Sequence, residues 1–455
     1  MRIVLTSISV AALVVLTALS VTLLPYYDDK TGTLQPLPVL TVALWVLFGL
    51  ALVALRGVPT KAAVVLVLVG TVAIGGAAMA GPPNTSTDSA RYAWDGIVQA
   101  AGISPYDHAP ADPELADLRP EWLFPAPVDG ECTGARIMTV KEPGTGDVLC
   151  TAINRAKVTT IYPPASELVF AGIRLVTGPG PQYWPMQLFG LLVSIGTTII
   201  LLRALVKRGR DPRWAALWGW CPLVATEAIT NSHIDVLGAA LVLVATLLAS
   251  SRRPWLAGIA LGAAISAKLI PALGAVALIR RNPVKVIAGA VGVFVLLYVP
   301  YVLASGIGVV GYLPGYLSEE GYSTGTRFIL VSAAVPGIAA TVISIGLLAA
   351  LAVVVWLKTD PDDPWLAQLV MIGGALLIVT PRYPWYALLL IPMIAMTGRW
   401  EWLAVPLALT ERLLFPPVEW ARVAVIVAIA VILLVSVARV SRVSADRGKV
   451  LITER

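Results

Sequence analysis

Asp88, Arg91 and Asp95 stand at i, i+3 and i+7 in the stretch Asp88-Ser89-Ala90-Arg91-Tyr92-Ala93-Trp94-Asp95-Gly96. A helix through this stretch places two carboxylates and a guanidinium on one face. Such a face can take up a proton and hold an anion. Gly102 and then Pro105 are the signals that end the helix. A second reading needs no chemistry. Asp88 follows Asn84-Thr85-Ser86-Thr87, and an acid in a first helical turn is favoured by the helix dipole alone. Spacing leaves the two readings level.

The surrounding chain is apolar. Of 455 residues, 58% are hydrophobic and 13% charged, with a mean hydropathy of +0.82. Soluble domains carry about 25% charged residues, so the composition gives an all-α polytopic membrane protein. Apolar runs of about 20 residues, the length that crosses a bilayer, recur throughout. The first, from Ile3 to Leu24, exceeds the roughly 7–15 residues of a signal-peptide core and reads as an uncleaved helix. The net charge of +6 sits in short loops and a tail. It therefore reads as positive-inside sorting and gives no sign of a nucleic-acid partner. Neither a Walker A sequence nor a GxGxxG after a strand is present, so no nucleotide site is expected.

Read in order, the chain divides into four parts. Residues 1–80 hold three transmembrane helices, with Arg56 and Lys61 on the cytoplasmic side and Tyr26-Tyr27-Asp28-Asp29 outside. Residues 81–183 form an extracytoplasmic loop that holds the acidic helix and, after Tyr162-Pro163-Pro164, an interfacial or re-entrant helix. Residues 184–440 form a transmembrane bundle, and residues 441–455 a basic cytoplasmic tail. Within the bundle, Lys268 and Pro271 divide 255–279 into two short helices. The expected total is about 12–14 spans with both termini inside. The loop Lys358-Thr359-Asp360-Pro361-Asp362-Asp363 is acidic although it falls on the cytoplasmic side, where acids weigh little.

Residues 81–160 carry 11 of the 27 acidic residues against 6 Lys and Arg. Cys132 and Cys150 also lie there, without the CxxC spacing of a metal site. Outside the cell they are disulfide candidates, worth about 3 kcal/mol if paired; two free thiols are the alternative. Cys221 reads as packing.

The other polar groups gather on the same outer side: Tyr162, His233 and Asp235, Lys268, and Arg382 and Tyr383 in Pro381-Arg382-Tyr383-Pro384-Trp385-Tyr386. An ammonium in an apolar segment costs at least about 2.5–3.5 kcal/mol, so Lys268 needs a partner, an aqueous cavity or a route to the interface. Arg382 suits membrane anchoring as well as ligand binding, and His233 and Asp235 are equally readable as loop residues. Glu319 and Glu320 read as a solvated loop beside Arg327. An outward site with carboxylates beside Lys and Arg suits a lipid phosphate, bound by the cations while a carboxylate takes a proton from an attacking hydroxyl.

The Asp88–Gly96 stretch followed by Ala101-Gly102-Ile103-Ser104-Pro105-Tyr106 resembles GT-C fold glycosyltransferases. The resemblance is closest to polyprenyl-phosphate-mannose-dependent mannosyltransferases of actinobacteria, including glycosyltransferase family 87. It extends through Ile161-Tyr162-Pro163-Pro164-Ala165-Ser166-Glu167, His233-Ile234-Asp235, Ala267-Lys268-Leu269-Ile270-Pro271 and Pro381–Tyr386. It implies a GT-C-like fold in the plasma membrane with an extracytoplasmic active site. The implied reaction moves a sugar, mannose above all, from a polyprenyl-phosphate donor to a hydroxyl of a cell-envelope glycolipid or glycan. On this reading Asp88 is the catalytic base with Asp95 second. Lys268 and Arg382 meet the phosphate, and Arg91, Tyr92, Tyr162, His233, Asp235 and Tyr383 complete the substrate site. No cofactor is required; a divalent metal is compatible but no ligand spacing calls for one. Two spans precede the acidic loop beyond the number such enzymes often have. A transporter or flippase of a lipid-linked glycan is the competing expectation, and a membrane scaffold binding partners through its outer loop is a third.

Overall fold

The computed structural model describes residues 1–24, 26–27, 35–415 and 417–453, with side chains to residue 441. Asp28, Asp29 and Arg455 lie outside the described residues, as do the side chains of the expected basic tail. Helices α1 (Arg2–Thr22), α2 (Pro36–Leu55) and α3 (Thr60–Ala78) open the chain. The insertion follows, with α4 (Asp88–Ala100), a hairpin of β1 (Met138–Lys141) and β2 (Val148–Thr151), and α5 (Pro164–Thr177). The bundle continues through α6 (Trp184–Lys207), α7 (Ala216–Gly219), α8 (Asp235–Ser250), α9 (Pro254–Ala267), α10 (Ala275–Leu278) and α11 (Pro283–Ser305). Then come α12 (Leu313–Glu319), α13 (Val331–Ala334), α14 (Ile338–Lys358), α15 (Trp365–Val379), α16 (Ile391–Thr397), α17 (Ala404–Leu414) and α18 (Val418–Thr453).

Among the described residues, seven helices are long and apolar enough to cross a membrane, or eight if the π-helical turn Val224–Thr230 and α8 count as one bent span. The protein is therefore a multi-pass membrane protein. Shorter passages account for the difference from the larger number expected: 212–230, α8, α9, 270–278, α15, 384–397 and 400–414. Pro and Gly break them, as at Pro271 and Pro384, so hydropathy counts a crossing where no single long helix forms.

The passages run between two ends that hydrogen bonds define. At the basic end Arg213 donates to the Val58 carbonyl, Arg208 to Ser250 Oγ at 2.6 Å, and Arg210 to Asp363 at 2.7 Å. Arg281 meets Asp362 at 2.6 Å, with Arg252 on the same carboxylate. The acidic loop that fitted charge sorting poorly is thus the counter-charge of three basic loops. At the insertion end Asn84 donates to the Ser20 carbonyl, Gln187 to the carbonyls of Gly81 and Thr230, and Ser166 to the Ala267 carbonyl.

Small residues set two close approaches that matter for the site. A Cβ on Gly258 or Gly262 would lie 2.3 Å from the carbonyl oxygen of Val286 or Ala290, so α9 rests directly on α11. A Cβ on Gly96 would meet the Phe170 carbonyl at 2.3 Å, so α4 lies directly on α5. Neither α4 nor α5 is among the candidate spans; together they form a layer over the insertion end. The passage 270–278 is short. At 1.5–2.0 Å per residue it covers roughly half of a ~30 Å hydrocarbon core. It leaves space between itself, α14 and α15.

Candidate active site

α4 begins at Asp88, whose N–H is accepted by Ser86 Oγ, and ends where Gly102 takes a φ of +81°. The Asp88 carboxylate is partly exposed on the wall of a cavity of about 670 Å³ at the insertion end. Asn154 Nδ2, just after β2, donates to its Oδ1 at 2.9 Å. Its Oδ2 lies 3.6 Å from His233 Nδ1. A carboxylate so placed can take a proton from a group in the cavity.

Arg91 lines the same cavity one turn further along α4. Its Nε donates to Asp95 Oδ1 at 2.7 Å and its Nη1 to the Val158 carbonyl at 3.0 Å, while its buried Nη2 has no protein partner. Asp95 does not line the cavity. It is buried behind Arg91, beside Glu167, which accepts from Thr160 Oγ1 and Gln99 Nε2, both at 2.7 Å. Burial pushes the Glu167 carboxyl well above its ordinary range, and the Asp95 charge beside it adds to the shift. One carboxylate thus holds the guanidinium, and a second carboxyl braces that pair.

Lys268 lies where α9 ends and the backbone turns extended. Its Nζ is 2.6 Å from Asp235 Oδ2 and 5.8 and 5.2 Å from the ring centres of Tyr162 and Tyr386. Only one of the three ammonium hydrogens is committed to Asp235, and Lys268 lines the cavity. Tyr162 and Tyr383 line it too. Tyr92 stands behind Tyr162, stacked on Phe170 at 4.5 Å, and His233 is buried under Trp385 at 3.7 Å. The structure therefore brings Asp88, Arg91, Tyr162, Lys268 and Tyr383 to one cavity, with Tyr92, Asp95, His233 and Asp235 as the layer behind. Arg382 stands apart: it is exposed and does not line the cavity.

Other residues complete the polar end. Arg155 follows Asn154 and pairs with Glu319 at 2.7 Å, its guanidinium over the Tyr316 ring. Arg327 lines the cavity and pairs with Glu320. The expectation that Glu319 and Glu320 form a solvated loop fails for Glu320, which is buried with Arg327. α12 folds back onto the insertion through the Tyr312 N–H to the Thr160 carbonyl, and the acid neutralises a buried arginine. Nothing in the spacing of Asn154 or Arg155 connects them to Asp88; the hairpin does that. Glu227 was legible by the argument that singled out Lys268, a lone charge in an apolar run.

Away from these groups the cavity is apolar. Leu273 and Val276 face Leu348, Ala375 and Leu376 across the space left by the short 270–278 passage. The cavity therefore has a charged head and an apolar body, the shape of an amphiphile. Among the described residues, His108, Asp112 and Glu114 form a group with metal-ligand spacing, but none of them lines this cavity.

Residues 160–383 match the model of glycosyltransferase family 87. This is a membrane glycosyltransferase. No curated protein and no solved structure matches the chain. The family match supports the resemblance read from the motifs and covers Tyr162, His233, Asp235, Lys268, Arg382 and Tyr383. In this glycosyltransferase Asp88, Arg91 and Asp95 lie before the matched segment, as do Cys132 and Cys150. The two cysteines are joined in a disulfide, with Cα atoms 5.3 Å apart. The bond ties the hairpin strand that leads to Asn154 and Arg155.

Proposed function

We propose that the protein transfers a sugar, mannose on the strength of the resemblance, from a polyprenyl-phosphate donor to a hydroxyl of a cell-envelope glycolipid or glycan. The observation that carries this reading is the two-part cavity. A carboxylate and cations gather at its head, and an apolar slot between 270–278, α14 and α15 suits a prenyl chain.

Asp88 takes the proton of the acceptor hydroxyl as its oxygen attacks the anomeric carbon. The bond from that carbon to the donor phosphate breaks on the opposite face, and the configuration inverts. Polyprenyl phosphate leaves with the bonding electrons. Lys268 and the Arg91 guanidinium lie at the cavity head to meet its growing charge. Arg155, paired with Glu319, and Arg327, paired with Glu320, stand on the same cavity wall. Asp95 acts through Arg91 rather than on substrate. Arg382, outside the cavity, is assigned to the membrane surface instead of the phosphate.

Two observations support a plasma-membrane enzyme with its site on the extracytoplasmic face. The insertion carries a disulfide, a bond of oxidising compartments. The opposite end carries the short basic loops that stay in the cytoplasm, which also puts the N-terminus there.

The test uses purified protein in lipid nanodiscs with radiolabelled polyprenyl-phosphate mannose and an extracted glycolipid fraction as acceptor. A labelled glycolipid should form with wild type and not with Asp88→Asn. Donor movement across a vesicle bilayer without a glycosidic product would replace this reading with a flippase.

A further inference from the structure

Glu227 is a buried acid in an apolar run, outside the cavity that holds Asp88. It lies on a π-helical turn, Val224–Thr230, a conformation that recurs at functional positions. The chain leaves that turn through Ser232, a non-glycine residue at φ +58°. His233 then returns its N–H to the Glu227 carbonyl at 2.8 Å. This tight return brings the Glu227 Oε2 to 3.3 Å from His233 Nε2, an ion-pair distance without the alignment of a hydrogen bond. Among the described residues Nε2 has no other protein partner to compete with Glu227. The other ring nitrogen, Nδ1, lies 3.6 Å from Asp88 Oδ2 and 3.5 Å from the Tyr92 hydroxyl. Trp385 covers the ring face at 3.7 Å, so the imidazole is clamped in this orientation. Two carboxylates therefore flank one imidazole, with only Asp88 reaching the cavity.

We propose that Glu227 is a positioning residue that holds His233 with its proton on Nε2, leaving the Nδ1 lone pair to relieve Asp88 of the proton it takes from the acceptor. This rests on the role proposed for Asp88. In the step, the Asp88 O–H bond breaks and an Nδ1–H bond forms. The ring becomes an imidazolium between the carboxylates of Asp88 and Glu227, and Asp88 is again an anion while the phosphate product is still bound. The extra proton passes to water when the products leave. The Tyr92 hydroxyl, 3.5 Å from Nδ1, can donate or accept there and so fits the ring before and after the transfer. The Glu227 carboxyl has polar partners. Asn231 donates to its Oε2 at 3.3 Å, and the side chain borders a second cavity of about 30 Å³, large enough for a water. Asn84, whose Oδ1 has no protein partner, borders the same space. The charged and titratable groups facing the ring are Asp88 and Tyr92 from α4, Glu227 from the π turn, Asp235 at the start of α8 and Lys268 at the end of α9.

The chain has two histidines, His108 and His233, so the ring can be watched directly. In the His108→Gln background, ¹⁵N-histidine NMR of the protein in detergent should show one neutral ring with its proton on Nε2. Glu227→Gln, which keeps the shape and removes the charge, should shift the His233 titration midpoint down by a unit or more. The same variant should lower kcat about tenfold with the KM for polyprenyl-phosphate mannose unchanged. A proton on Nδ1, or a midpoint that Glu227→Gln leaves in place, overturns the proposal. Because the NMR readout needs no substrate, its failure is separate from failure of the transferase reading. Conversely, absence of transfer by wild type beside the expected spectra would refute the reading and remove the relay's purpose.

Discussion

Lys268 Nζ lies 2.6 Å from Asp235 Oδ2 at the point where α9 breaks and α8 begins. The pair joins two helix ends and points the ammonium at the cavity that holds Asp88. Removing one member of a buried pair costs about 3–5 kcal/mol, because the other charge is left alone. Lys268→Met should therefore lower both thermal stability and donor binding. Adding Asp235→Asn to it removes the orphaned carboxylate. The double variant is expected to regain most of the melting temperature in detergent and none of the donor binding. Recovery of both would mean that Lys268 serves only the fold.

Asp88 and Asp95 share one helix, but the cavity separates their work. Asp88→Asn should reduce kcat by about 10²–10⁴-fold with little change in stability. Asp95→Asn leaves the buried Arg91 guanidinium with a weaker partner, and its main effect should be a lower melting temperature with a raised KM for the donor. Steady-state kinetics and thermal unfolding of the two variants, measured side by side, check this. Equal loss of kcat in both would give Asp95 a direct part in the chemistry.

The sequence carried much of this and missed the rest for identifiable reasons. Lone charges in apolar runs are costly, so Lys268 could be singled out without a structure. Helical spacing placed Asp88, Arg91 and Asp95 on one helix, but could not say that the cavity meets only the first two. Arg382 sits in a motif beside Tyr383, and a turn of extended backbone sends the two side chains to different surroundings. Asn154 and Arg155 reach the site because β1 and β2 pair and the disulfide anchors β2 to Cys132, a long-range fact with no local signature. The number of crossings was blurred by short helices, which hydropathy registers but cannot measure.

The Glu167 carboxyl makes stability depend on pH. Burial and the neighbouring Asp95 charge raise its pKa in the folded protein, so the folded state holds a proton that the unfolded chain releases. Stability from this source is complete below the ordinary carboxyl range, near pH 4.3, and falls as pH rises through the folded value. Melting temperatures in detergent should drop as pH rises above the ordinary carboxyl range, other groups held equal. Glu167→Gln should flatten that slope. An unchanged slope would show that Glu167 titrates alike in both states.

The disulfide gives the last expectation. Cys132 and Cys150 close a loop of 18 residues in sequence separation around the hairpin, and such a constraint contributes about 3 kcal/mol. The strand that ends in Cys150 and Thr151 runs straight on to Ala152, whose N–H meets the Leu123 carbonyl at 2.9 Å, and to Asn154 on Asp88. Loosening it should therefore be felt at the carboxylate, not only in the hairpin. The double variant Cys132→Ser/Cys150→Ser should be cut faster by protease between 125 and 150 and should lose several-fold in kcat. Its helical bundle, held by contacts elsewhere, should melt nearly as before. Faster proteolysis with full kcat would mean that Asn154 and Arg155 hold their places without the hairpin.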